Sequence, residues 1–106
     1  MAGIDPVIHP PARLQLMSVL AAVSEAEFLT LREALGVSDS LLSKHISALA
    51  GTGYVSSRKA VHQGRRTTWV SLTDSGGRAL REHVSALRAL IDAADTAGST
   101  AAARRP

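Results

Sequence analysis

The sequence contains no cysteine, and only three of its 106 residues are aromatic, namely Phe28, Tyr54 and Trp69. The lack of cysteine excludes disulfides and thiolate metal sites, and it suits a reducing compartment. No apolar run approaches the ~20 residues that a membrane span requires, and the N-terminus lacks the basic start and apolar centre of a signal peptide. We therefore expect one cytoplasmic domain whose core is built from Leu, Ile, Val and Ala.

Positive charge is scarce in the first part of the chain and concentrated in the middle. The formal net charge is +3, yet residues 1–43 carry −3 and residues 44–81 carry +6. A basic segment of this kind indicates a surface that binds a polyanion. A solvated basic surface without a partner is the alternative.

Residues 38–50 are predicted to form a helix. Ser38 provides an N-cap, and Asp39 places a negative charge in the first turn, where the helix dipole favours it. Three apolar residues recur at helical spacing: Leu42, Ile46 and Leu49. The opposite face carries short hydroxyls and one cation, from Ser40, Ser43, Lys44 and Ser47. Such a face can approach base edges and phosphates in the DNA major groove, so we interpret this segment as a recognition helix.

A short helix is expected before it, ending at Gly36. The turn of residues 36–38 is short enough for a helix-turn-helix, although an ordinary pair of helices joined by a glycine turn has a similar pattern. We interpret residues 24–27 as a polar connection and Phe28 as a core residue.

Two β-prone runs follow, residues 54–60 and 67–73, and residues 61–66 join them. Gly64 suits the turn of a hairpin. Alternation places Val70 and Leu72 towards the core and Trp69 on the other face, where we expect it to pack on arginine stems or on a partner subunit.

Three stretches together resemble a known family: HPPARLQLMSVLAA, LREALGVSDSLLSKHISALAGTGYV and RKAVHQGRRTTWVSLTDSGGRAL. They are similar, over roughly residues 8–91, to small single-domain winged-helix regulators of the MarR-like and ArsR-like kind. The resemblance implies a mainly α fold with a small β-hairpin, and a dimeric transcription regulator that binds double-stranded DNA. It is compatible with a small-molecule effector of unknown identity.

On this basis we predict twelve DNA-contacting residues in the recognition helix and the hairpin: Ser38, Ser40, Ser43, Lys44, His45, Ser47, Arg58, Lys59, His62, Gln63, Arg65 and Arg66. For His45, which neighbours apolar residues on the helix, a half-buried packing role is the alternative.

The first and last helices are predicted to form the dimer interface. The first helix, from Arg13 to Val23, has two apolar stripes, and the last has a heptad-like seam. The second stripe and the seam give the interface residues Leu16, Val19, Val23, Leu80, Val84, Leu87 and Ile91. We expect a disordered N-terminus over residues 1–7, a domain over 8–94 and a disordered tail over 95–106, in which Arg104 and Arg105 are available for weak phosphate contacts.

Other functions have weaker support. The four histidines lie on separate elements, and no nucleophile is paired with a base, so we predict neither catalysis nor a cofactor. A metal site on the last helix would need His83, Glu82 and Asp92 or Asp95, whose spacing does not place them on one face, and we expect His83 at the surface. A protein-interaction module and a metal-sensing or ligand-sensing repressor remain alternatives, but Lys44, Arg65 and Arg66 favour DNA.

Overall fold

The computed structural model describes residues 3–103, without the side chains of residues 62 and 99–103. This part of the chain contains four helices and three strands. In chain order they are α1 (Pro11–Ala21), β1 (Ala26–Glu27), α2 (Phe28–Leu35), α3 (Asp39–Gly51), β2 (Val55–His62), β3 (Arg65–Leu72) and α4 (Asp74–Ala103).

The predicted helix-turn-helix is confirmed. Helix α2 ends at Gly36, whose φ of 66° lies in the left-handed region and whose N–H donates to the carbonyl of Arg32. Ser38 then caps α3, because its side chain accepts a hydrogen bond of 3.2 Å from the N–H of Leu41.

The predicted hairpin is part of a three-stranded antiparallel sheet with the order β1-β3-β2. Strands β2 and β3 pair from Val55 opposite Leu72 to His62 opposite Arg65. Only Gln63 and Gly64 form the turn, and both have positive φ, as tight two-residue hairpins require. The connection is therefore shorter than the predicted residues 61–66. We call this β2–β3 hairpin the wing.

Strand β1 was not expected, since its residues were interpreted as a polar connection. Ala26 pairs with Val70 and Glu27 with Trp69, which extends the sheet on the outer edge of β3. Two residues are too few to show an alternating pattern, so the pairing depends on where the chain fold brings this segment.

The core is aliphatic and centred on α1, which contacts α2, α3, α4 and β3. Because α1 is surrounded in this way, Leu16 of its second stripe is covered within the protomer. Leu16 is fully buried and Leu80 is 8% exposed, so the prediction that these two residues form a dimer interface is wrong. Val19, Val84 and Leu87 are half-buried, whereas Val23 and Ile91 are exposed.

Helix α4 is longer than expected and continues to Ala103 instead of ending near residue 94. The segment is rich in alanine, the strongest helix former, which favours this extension. Residues 88–98 are all exposed, so this part of α4 projects from the domain. Arg104 and Arg105 lie outside the described residues.

The N-terminal segment also differs from the expected disorder, because Asp5 holds it against the domain. The N–H of Asp5 donates to Nδ1 of His83 at 3.0 Å, and its carboxylate accepts from the hydroxyl of Tyr54 and the N–H of Val7. Ala86 of α4 lies close to Gly3, leaving almost no room for a Cβ there. The packed domain thus begins before residue 8.

The expected surface position of His83 is also wrong, since its side chain is fully buried. The N-terminal segment covers it, and the ring of His9 packs edge-on at 5.5 Å. Burial lowers the pKa of His83 below its ordinary value of 6.5, and His9 adds to this effect, whereas Asp5 opposes it.

We expect folding stability to fall as the pH falls from about 7 to about 5. In this window the unfolded chain binds more protons than the folded one, because the pKa of His83 and that of His45 are lowered by folding. His83→Gln should flatten the pH dependence, and the remaining slope would come from His45. Urea unfolding at several pH values measures this.

Asp5 does not contribute to the change in folding stability between about pH 7 and about pH 5. Burial opposes its ionisation, but the hydrogen bonds from Tyr54, Val7 and Ile8 outweigh burial and lower its pKa below 3.8. Asp5 therefore loses its contribution only at lower pH. An unchanged slope in His83→Gln would contradict the prediction.

Candidate nucleic-acid interface

The exposed face of α3 carries four of the predicted contact residues together. Ser40, Ser43, Lys44 and Ser47 are all exposed, while the opposite stripe of Leu42, Ile46 and Leu49 is buried. Because the hydroxyl side chains are short, the helix backbone can come close to a ligand surface, with Lys44 as the long cationic side chain of the face.

Ser38 has a structural role at the start of this face. Its Oγ accepts the capping hydrogen bond from Leu41 and lies 3.3 Å from Oγ of Ser40. Arg32 of α2 also pairs with Asp39 at 2.8 Å across the turn. Asp39 is largely exposed and Arg32 half-buried, so we regard this ion pair as fixing the angle between the two helices more than as stabilising the fold.

His45 is held from the side by Arg13. The guanidinium Nε donates to Nδ1 of His45 at 3.1 Å, and Nη1 of the same arginine donates to the carbonyl of Val7. Burial lowers the pKa of His45, and the positive charges of Arg13 and Lys44 lower it further. The ring of His45 is thus half-buried, which agrees with the alternative interpretation of this residue as a packing residue.

Arg13 was missed as a supporting residue because it lies 32 positions from His45. The only signal in the sequence is a cation on the first helix, which is equally compatible with a solvated surface.

The wing carries exposed cations in the middle of β2 and at its tip. Lys59, Gln63, Arg65 and Arg66 are exposed. Since adjacent strand residues point to opposite faces, Arg65 and Arg66 project on either side of the hairpin. These two arginines and Lys59 border an open cleft against Phe28 and Leu29 at the start of α2. The side chain of His62 lies outside the described residues.

Arg58 differs from the other predicted wing cations because it is held at the base of the wing. Its Nε and Nη2 donate to the two carboxylate oxygens of Glu25, at 3.1 and 2.5 Å. Its guanidinium also lies over Trp69, its cross-strand neighbour, at 5.8 Å from the ring centroid. The prediction that Trp69 packs on an arginine is confirmed, and Arg58 has a supporting role.

A second carboxylate, from Glu27, joins β1 to the wing. It accepts a hydrogen bond of 2.7 Å from the hydroxyl of Thr67. Together with Glu25, this contact anchors the wing, as far as Thr67, on the segment that precedes α2.

Residues 12–91 match the sequence model of a family described as the winged helix DNA-binding domain. The chain belongs to this family. A solved structure, the transcriptional regulator homologue protein from Pyrococcus horikoshii OT3, is 30% identical, with a TM-score of 0.79 over 84% of this chain and 88% of that one. An uncharacterised protein of Methanocaldococcus jannaschii is 27% identical over 74% of this chain and 85% of its own length.

More distant structures share the winged-helix fold. ZitR, a zinc-responsive MarR family member from Lactococcus lactis, is 20% identical, with a TM-score of 0.57 over 84% of this chain and 60% of its own. The resemblance to winged-helix transcription regulators is therefore confirmed. The family and these neighbours are regulators and not enzymes.

Two other classes of site are not found in the part of the chain that the structure describes. Among the described side chains, which leave out those of residues 62 and 99–103, no group of three or more His, Asp or Glu is arranged to hold a metal ion. None of the described helices combines the length and the apolarity that crossing a membrane requires.

Two neighbouring serines provide a test of the helix cap. Ser38→Ala should lower the free energy of unfolding by about 1 kcal/mol, because the N–H of Leu41 loses its acceptor. Ser40→Ala, an equally conservative change on the same turn, should alter it by less than about 0.5 kcal/mol. Urea unfolding of both variants measures the difference, and equal effects would argue against the capping role.

Proposed function

We propose that this chain is a dimeric transcription regulator that binds specific double-stranded DNA sequences in the cytoplasm. The observation that carries the proposal is the exposed polar face of α3 beside the cationic wing. In a winged-helix family member this combination fits α3 in the major groove and the wing on the neighbouring backbone or minor groove.

The face of α3 supports base recognition. The first residues of a recognition helix meet base edges, and serine hydroxyls can donate to or accept from any base. Ser40 and Ser43 lie in the first half of α3, and Lys44 can reach guanine or a phosphate. Ser47 lies one turn further, where we assign it to a phosphate.

The wing supports affinity. Lys59, Arg65 and Arg66 are exposed at its outer part and project on both of its faces, so they can contact phosphates on either side of a groove. An arginine gains further from the concentrated negative potential of a narrow minor groove. We assign Gln63, at the turn, to the same contact.

The proposed dimer uses the apolar surface that the protomer leaves exposed. Val23 and Ile91 are 46% and 56% exposed, and Leu90 of α4 is 42% exposed. Pro6, His9, Leu14 and Leu87 line an apolar groove between the N-terminal segment and α4. A two-fold dimer would present two α3 helices to a palindromic site.

The DNA contacts are tested by removing charge from the wing. Arg65→Ala combined with Arg66→Ala should weaken binding and reduce the slope of log K against log salt by about 0.9 for each phosphate that the protein no longer neutralises. Sites are first selected from the source genome at moderate salt, and affinity is then titrated against salt. Arg81→Ala combined with Arg88→Ala removes the same charge from α4 and serves as the matched control.

Specificity is tested separately in α3. Ser43→Ala or Lys44→Ala should reduce the preference for the selected site over random DNA by about 1 to 3 kcal/mol for each base that the variant no longer reads. Equal losses of affinity on both DNAs would identify phosphate contacts instead. Absence of any selected site would contradict the proposed function.

The dimer is tested by placing a charge on its proposed surface. Ile91→Glu should give a folded monomer in sedimentation at tens of micromolar, because the exposed side chain contributes little to the protomer core. Ala93→Glu, on another face of α4, is the control and should remain dimeric. Leu16→Ala should instead lower the free energy of unfolding by about 2 to 5 kcal/mol. A monomeric wild type at that concentration would exclude the dimer.

A further inference from the structure

One partly exposed apolar side chain of α3 lies outside its buried stripe, on the flank of the helix. Leu41 is the third residue of α3, and its side chain is 41% exposed. The buried stripe of the helix begins at the next residue, Leu42, which is fully buried. A step of about 100° along the helix turns Leu41 away from that stripe.

The position of Leu41 separates it from the other exposed apolar side chains. Among the described residues, the other large hydrophobics exposed to this degree are Val23, Val61, Leu90 and Ile91. They lie after α1, on the wing and on α4, whereas Leu41 is the one on α3. The proposed dimer surface therefore does not account for it.

Leu41 lies between residues proposed to contact bases and the half-buried His45, which is four residues further along α3. Ser40 precedes it, and Lys44 lies three residues further, on the adjacent turn of the same helix surface. The backbone N–H of Leu41 is fixed by the cap at Ser38, so the first turn carries its side chain in a defined direction. First-turn residues are the ones that a recognition helix brings to base edges.

We propose that Leu41 determines part of the DNA specificity by contacting the C5-methyl group of a thymine in each half-site. This inference rests on the proposed function. In the major groove thymine presents its methyl group and the O4 acceptor, and the methyl group is the apolar feature that a leucine can cover. Serine hydroxyls and Lys44 cannot supply this contact.

The methyl group can be removed without changing base pairing. Each thymine of the selected site is replaced in turn by uracil, which lacks only the C5-methyl. At one symmetric pair of positions the wild-type protein should lose affinity by roughly fourfold per half-site, as expected for one methyl group returned to water. Replacing that thymine by 5-methylcytosine should retain more affinity than replacing it by cytosine.

Variants of Leu41 are then compared on the thymine and uracil sites. Leu41→Ala should bind the thymine and uracil sites equally, and Leu41→Met, which keeps an apolar side chain, should retain the preference for thymine. Thr30→Ala shortens an exposed side chain of α2, outside the proposed DNA and dimer surfaces, and should leave the ratio of the two affinities unchanged.

The outcomes separate this inference from the function on which it rests. A selected site with no uracil-sensitive thymine, or a sensitivity that persists in Leu41→Ala, would overturn the role of Leu41 and leave sequence-specific binding intact. Failure to select any site would overturn the proposed function, and the role of Leu41 with it.

Discussion

Burial of the aliphatic face of α1 is the constraint on which the other elements depend. With few aromatic residues available, the core consists of aliphatic side chains, and Leu16, Met17 and Leu20 place α1 at its centre. Helices α2 and α3, strand β3 and the start of α4 all pack on it. The packing of the buried side of α3 on the core therefore sets the angle at which α3 presents its polar face.

The five arginines of α1, α2 and the wing divide into two groups with different roles. Arg13, Arg32 and Arg58 are each bonded to another part of the chain and fix the positions of His45, the helix turn and the wing base. Arg65 and Arg66 project from the wing tip. The basic composition of the middle segment thus overstates the charge offered to DNA, since Arg58 is paired with Glu25.

The N-terminal segment adds a second link between the end of α3 and helix α4. Through Asp5 it joins Tyr54, which follows α3, to His83 on α4. In the proposed dimer, α4 carries the interface and α3 makes the DNA contacts. Asp5 therefore lies between the proposed interface helix and the proposed DNA-binding helix. Because Nδ1 of His83 accepts the hydrogen bond from the N–H of Asp5, protonation of the ring would remove this contact.

The sequence by itself determined the local features: the cap at Ser38, the end of α2 at Gly36, the buried stripe of α3 and the hairpin around Gly64. Each depends on residues a few positions apart, whose spacing and backbone preferences are visible in the chain. The family resemblance added the order of the elements.

Only the tertiary structure decided that both apolar stripes of α1 contribute to the core, and that Leu16 and Leu80 belong to it while Val23 is exposed. It also decided the pairing of β1, the Arg13–His45 contact and the burial of His83 beneath Asp5. These depend on groups separated by between 32 and 78 positions, or on a strand of two residues. A periodic pattern shows that a side chain needs cover, but the covering element is fixed only when the whole chain packs.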